Sequence, residues 1–197
     1  MNRKVGVIGE EDARHYAVLI PIIHIDGEAY LLFEKRANHL KRQPGEICFP
    51  GGKLELGETV MECAVRETIE ELGVLPNQIE VLGPGDVYIS PFNIMIYPFI
   101  GKLNEYMDTF SPEEVEETIK IPLSFFRNRR PERYQSKLMH QLPEDFPYEL
   151  VPGGKDYPWA SGAYDIFFYR YEQCIIWGMT AHILASAINL IDEYGLA

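Results

Sequence analysis

Glu67, Glu70 and Glu71 crowd the end of the stretch GGKLELGETVMECAVRETIEELGV, which runs from Gly51 to Val74. On a helix, at about 100° per residue, their carboxylates fall within an arc of about 100°. Like charges at such spacing repel. A fold gains nothing from that crowding unless a cation sits among them. Oxygen donors suit a hard dication such as Mg²⁺ or Mn²⁺, which binds a few carboxylates together with substrate phosphates. Such an ion offsets the charge of a phosphate substrate and lowers the pKa of bound water. For an isolated Glu-x-x-Glu-Glu, a solvated acidic face is the simpler reading.

The elements around this stretch have their own signals. A helix is expected from about Thr59 to Leu72, closed by Gly73. Val60, Met61, Ala64, Val65 and Leu72 lie on the arc beside the glutamates and are expected to pack on a sheet. YAVLIPIIHI (Tyr16 to Ile25) reads as a buried strand, Asp26-Gly27 as a hairpin turn, and EAYLLFEKR (Glu28 to Arg36) as the returning strand. After a basic loop, ICFPGG is a short strand ending at Pro50. IEVLGPGDVYIS, IMIYPFIGKL and YDIFFYRYE read as further strands. Ser111-Pro112 marks a turn or helix start, and TIKIPLSFF a strand running into a helical turn. A last helix is expected over about Ile175 to Tyr194. Between Arg127 and about Gly162 the composition shifts, with five of the 14 prolines and no clean periodicity, and a long, partly ordered insertion is expected there. The order of elements implies one mixed α/β domain over residues 1–197, with a sheet between helices.

Composition narrows the partners. A formal net charge of −12 argues against nucleic acid or an anionic membrane as ligand, so an anion must be held by a local basic patch or by metal. Cys48, Cys63 and Cys174 are an odd set without zinc spacing and fit a reducing compartment, for which the cytoplasm is the expectation. IIWGMTAHILASAINLI has 17 uncharged residues, the lower edge of a membrane span, but His182 and Asn189 favour a core helix.

The stretch from Gly52 resembles the Nudix box. Gly52 is followed after five residues by Glu58, then after seven by Arg66-Glu67, then Thr68, Ile69, Glu70-Glu71, Leu72, Gly73 and Val74. Only Thr68 departs, standing where an aliphatic residue is common. The resemblance implies a Nudix-type α/β/α sandwich with a mixed sheet and a hydrolase that cleaves diphosphates linked to another moiety. It makes Glu67, Glu70 and Glu71 metal ligands, with a backbone carbonyl from Gly51–Gly52, and Mg²⁺ or Mn²⁺ the cofactor. It places Glu70 and Glu71 in the catalytic set and makes Arg66 and Glu58 the pair that orients the helix.

Just ahead of the box, LFEKRANHLKRQPGEICFPGG (Leu32 to Gly52) is similar to the extension found in coenzyme A pyrophosphatases of that family. Leu32, Lys35, Arg36, Leu40, Gly45, Phe49, Pro50, Gly51 and Gly52 match, while Phe33, Glu34, Ala37, Lys41 and Gln43 depart. SPFNIMIYPFIG, EEVEETIKIPLSFF and IIWGMTAHIL continue the likeness, and the 127–162 region lies outside it. Lys35, Arg36, His39, Lys41 and Arg42 form a basic cluster beside the metal site. Coenzyme A carries a diphosphate and a 3′-phosphate, and charge-assisted hydrogen bonds from such a cluster suit both. Lys35, Arg36, Lys41 and His39 are therefore the expected substrate contacts. Tyr148, Tyr157 and Trp159 could stack on adenine, although aromatic residues in loops are more often local anchors.

The implied reaction takes coenzyme A or an acyl form to adenosine 3′,5′-bisphosphate and 4′-phosphopantetheine or its acyl form. A Nudix hydrolase of ADP-ribose or NADH is the nearest alternative. A non-catalytic Nudix-fold binding protein is the alternative from another class, and the complete set of box glutamates disfavours it. Homodimers are common in the family, which leaves room for one here.

Overall fold

The computed structural model of the chain describes residues 6–197. At its centre is a strand that is apolar on both faces. β1 (Arg14–Ile25) is buried at Ala17 and from Leu19 to Ile23. Asp26 and Gly27 both take positive φ, 50° and 82°. This two-residue turn matches strand twist and folds β2 (Glu28–Arg36) antiparallel onto β1. β3 (Ile47–Cys48) pairs with β2, and β4 (Gly51–Lys53) returns to pair with β1.

Helix α1 (Val60–Leu72) follows. Its start is a capping box. The Thr59 hydroxyl accepts from the Glu62 N–H at 3.2 Å, and the Glu62 carboxylate accepts from the Thr59 N–H at 2.7 Å. β5 (Ile79–Pro84) and β6 (Tyr88–Ser90) lie antiparallel to β7 (Ile94–Leu103), which runs parallel to β1. β8 (Val115–Pro122) pairs with β2 on an edge that β3 leaves open, and the short α2 (Leu123–Arg127) follows it. The product is one eight-stranded mixed sheet.

Alternation along β1 assigns its two faces. Ala17 and Leu19 pack with Cys63 and Ala64 of α1. Ile20 and Ile22 join Leu31 and Phe33 against the last helix, α3 (Gly178–Tyr194), through Ala181, Leu184 and Ile188. The architecture is thus an α/β/α sandwich, as expected. Met61, expected on the core arc, is exposed.

The chain from Arg127 onward is more ordered than its composition suggests. β9 (Glu132–Leu138) pairs with β10 (Gly162–Tyr171), and β10 with β11 (Cys174–Trp177). ERYQSKL shows no strand signal because most of its side chains face water; the edge of β10 supplies the order. Residues 139–161 hold only two short 3-10 turns, Tyr148–Leu150 and Gly154–Asp156. The last helix starts at Gly178 rather than near Ile175, because Cys174–Trp177 completes the small sheet. An apolar run alone does not separate these two states.

Candidate active site

Two glycines let the β4 segment lie between β1 and α1. A Cβ on Gly51 would collide with the Ala17 carbonyl and the Val18 backbone, and one on Gly52 with the Glu67 carboxyl. In this close fit the Gly51 N–H donates to Glu71 Oε2 at 2.8 Å. Thr68, the one departure in the box, is buried and donates to the Ala64 carbonyl at 2.7 Å, so its hydroxyl is satisfied within the helix.

Arg66 organises the remaining carboxylates. Its Nε and Nη2 form a fork with both Glu58 oxygens at 3.0 and 2.9 Å. Its Nη1 reaches Glu67 at 2.9 Å and Glu70 at 3.1 Å. The hydrogen bond from this guanidinium holds the Glu58 carboxyl down to about 2. Glu67 goes the other way: burial raises its pKa despite Arg66.

Glu71 is 2% exposed and Glu34, on β2, is fully buried. Burial raises both pKa values, and the charge of Glu34 raises Glu71 further. The Cys48 thiol donates to Glu34 Oε1 at 3.4 Å, while Glu34 Oε2 has no partner. Arg36 lies nearby, with Nη1 4.0 Å from Glu71 and a buried Nε without a partner.

Among the described residues no three acidic, His or Cys side chains already converge as a metal cage, because Glu67 and Glu70 are turned onto Arg66. The surroundings nevertheless fit a hard dication. The donors are oxygens, two buried carboxyls share one arginine held no closer than 4.0 Å, and one oxygen of Glu34 is orphaned.

A cavity of about 720 Å³ opens over these groups. Glu67, Glu71, Gly51 and Gly52 line it, as do Arg36 and Arg42. Glu70 is exposed, pairs with Arg66 and does not line it. Lys35 projects to the other face of β2, pairs with Glu117 at 2.9 Å and lines a second cavity of about 580 Å³. His39 and Lys41 are exposed in the loop and line neither cavity. Tyr148, Tyr157 and Trp159 sit in an aromatic cluster of the 139–161 segment, with Tyr157 and Trp159 ring centroids 4.9 Å apart, and do not line the main cavity.

The cavity also gathers residues that sequence reasoning did not assign to the site. Glu114 comes from the turn before β8, Arg14 and Tyr16 from β1, and Lys53 from β4. No local signal marks them, since strand pairing brings them together. Their only sequence trace is the period-two spacing of Arg14 and Tyr16.

Comparison with known proteins agrees with this arrangement. The chain is 35% identical over 133 residues to Peroxisomal coenzyme A diphosphatase NUDT7 of Mus musculus, covering 66% of this chain and 56% of that protein. It is 42% identical over 125 residues to Peroxisomal coenzyme A diphosphatase ndx-8 of Caenorhabditis elegans, covering 60% and 51%. The chain therefore spans little more than half the length of these two relatives. The crystal structure of a MutT/nudix family protein from Enterococcus faecalis matches 97% of this chain and 66% of its own, with a TM-score of 0.55 at 15% identity, a likeness of fold. The NUDIX domain model matches residues 13–146. With that match over most of its length, and with Glu67 and Glu71 of the box lining one cavity with Gly51 and Gly52, the chain belongs to the NUDIX family.

Proposed function

We propose that the chain hydrolyses the diphosphate bond of coenzyme A or an acyl form. The products are adenosine 3′,5′-bisphosphate and 4′-phosphopantetheine or its acyl form. One observation carries the reading: Glu67 and Glu71 line the same cavity as Arg36 and Arg42, so carboxylates for a dication and cations for phosphates share one space. The printed names of the mouse and nematode relatives support the substrate class.

Glu67, Glu70, Glu71 and the Gly51 carbonyl are proposed to hold Mg²⁺ or Mn²⁺. When bound, that ion supplies charge neutralisation and a more acidic water. The other roles belong to the chain. Arg36, beside Glu71, donates to the diphosphate. The Gly51 N–H fixes the Glu71 carboxylate. Arg66 and Glu58 are positioning residues that brace α1. Glu114 lines the cavity outside every ion pair among the described residues, and is proposed to accept the proton of the attacking water. Attack at phosphorus then breaks one P–O bond of the diphosphate.

For the compartment, the three unpaired cysteines support a reducing one. Among the described residues no helix is long and apolar enough to cross a membrane.

The test is a product assay with coenzyme A, ADP-ribose and NADH in parallel, with Mg²⁺ and Mn²⁺. Coenzyme A is expected to give the highest kcat/KM. Faster cleavage of ADP-ribose or NADH overturns the substrate assignment and points to Glu34 and Gln43, the two larger departures from the coenzyme A pattern.

A further inference from the structure

The α3 side of the cavity is not used by the diphosphate chemistry. Register pairs Tyr16 with Lys53 on one side and with Ile96 on the other, and Arg14 with Ile94. Directly paired residues project to one face, and alternate residues share it. Arg14, Tyr16, Lys53, Ile94 and Ile96 therefore form one floor, and all of them line the cavity. Met179 and Ile183, one turn apart on α3, line it from above.

Aliphatic side chains close this slot from above, and its floor combines Ile94 and Ile96 with a phenol ring flanked by two cations. Such a setting fits a phosphorylated nucleoside, the base between ring and aliphatic side chains and the phosphate against the cations. Arg14 and Lys53 are both exposed, and neither enters an ion pair among the described residues. Arg14 makes one side-chain hydrogen bond there, from Nη2 to the Phe92 carbonyl at 3.3 Å. Arg36 lies 4.0 Å from Glu71 and so belongs with the diphosphate. Lys53 stands two residues along β4 from Gly51, roughly 7 Å at strand rise. That offset suits a second phosphate on the same ligand.

Resting on the coenzyme A reading above, we infer that Arg14 and Lys53 bind the 3′-phosphate of the substrate and that Tyr16 stacks on its adenine. Discrimination for that phosphate then resides on the β1–β4 floor and not in the loop of residues 37–46.

Dephospho-coenzyme A differs from coenzyme A by that one phosphate. The experiment measures kcat/KM for both compounds with Mg²⁺, in the wild type and in Arg14→Ala, Lys53→Ala, Arg14→Lys and Arg42→Ala. The wild type is expected to prefer coenzyme A. Arg14→Ala and Lys53→Ala should each narrow the preference about tenfold, the effect of one charge-assisted hydrogen bond. Arg14→Lys should restore part of it by keeping the charge. An unchanged ratio in both alanine variants, or a narrowing confined to Arg42→Ala, overturns the inference and leaves the coenzyme A reading standing. So does a wild type that cleaves both compounds equally. Cleavage of ADP-ribose with neither coenzyme A form overturns the reading itself and the inference with it.

Discussion

Glu71 is a carboxylate in the wrong solvent. It is 2% exposed, has Glu34 for company, and keeps one strong partner, the Gly51 N–H. Burial disfavours its charge, which a bound dication would reverse. Glu71→Gln keeps an acceptor for Gly51 and removes the charge. Turnover is expected to fall roughly a hundredfold, while the melting temperature in metal-free buffer stays at or above that of the wild type. Unchanged turnover at saturating Mg²⁺ would remove Glu71 from the metal set. Arg66 offers a geometric contrast, since its planar fork holds both oxygens of Glu58 while a third nitrogen reaches Glu67 and Glu70. A lysine retains the charge and loses the fork. Arg66→Lys should lower kcat roughly ten- to a hundredfold through misplacement; wild-type kinetics would make Arg66 a surface residue only.

At the scale of elements, the site depends on how β4 is sandwiched between β1 and α1. The two glycines there meet different neighbours. An added methyl at Gly51 meets strand backbone, which has nowhere to go, whereas one at Gly52 meets the far end of the Glu67 side chain, which can swing away. Gly51→Ala should therefore destabilise the fold by about 1–3 kcal/mol in chemical denaturation. Gly52→Ala should shift stability by less than about 1 kcal/mol yet raise the Mg²⁺ concentration needed for half-maximal activity by moving a ligand. Equal losses of stability in the two variants would contradict this picture of the loop.

For the whole molecule, the buried acidic pair couples folding to pH and to metal. Glu34 and Glu71 have folded pKa values raised above their ordinary value by burial. A raised carboxyl binds its proton more tightly when folded. Its stabilising effect is complete below the unfolded pKa and is lost as pH rises through the folded one. Without metal, the melting temperature should drop between about pH 5 and about pH 8. Mg²⁺ or Mn²⁺ binds the ionised form, so its stabilising effect should be larger at the higher pH. Thermal melts at both values with and without the ion check this, and a metal effect that is absent or larger at low pH would refute it.

Local chemistry made much of this legible from sequence. The glutamates of α1 are neighbours through helix geometry, the Asp26-Gly27 turn follows from two positive φ angles, and the Thr59 cap acts over three residues. None of these needs a distant partner. Strand pairing is different, because its partners are far apart in sequence. Lys35 and Arg36 are adjacent in the basic cluster, yet the pleat sends one to Glu117 and the other towards Glu71. The polar β9 became a strand only because β10 offers an edge, and the apolar residues before Gly178 became β11 for the same reason. Glu114, Arg14 and Lys53 reach the cavity through pairings that no local pattern encodes. The sequence by itself determined the box helix and the carboxylates it presents, since contacts within a helix are short-range. Tertiary structure decided which cations face them, since sheet register is set by burial of whole faces across the molecule.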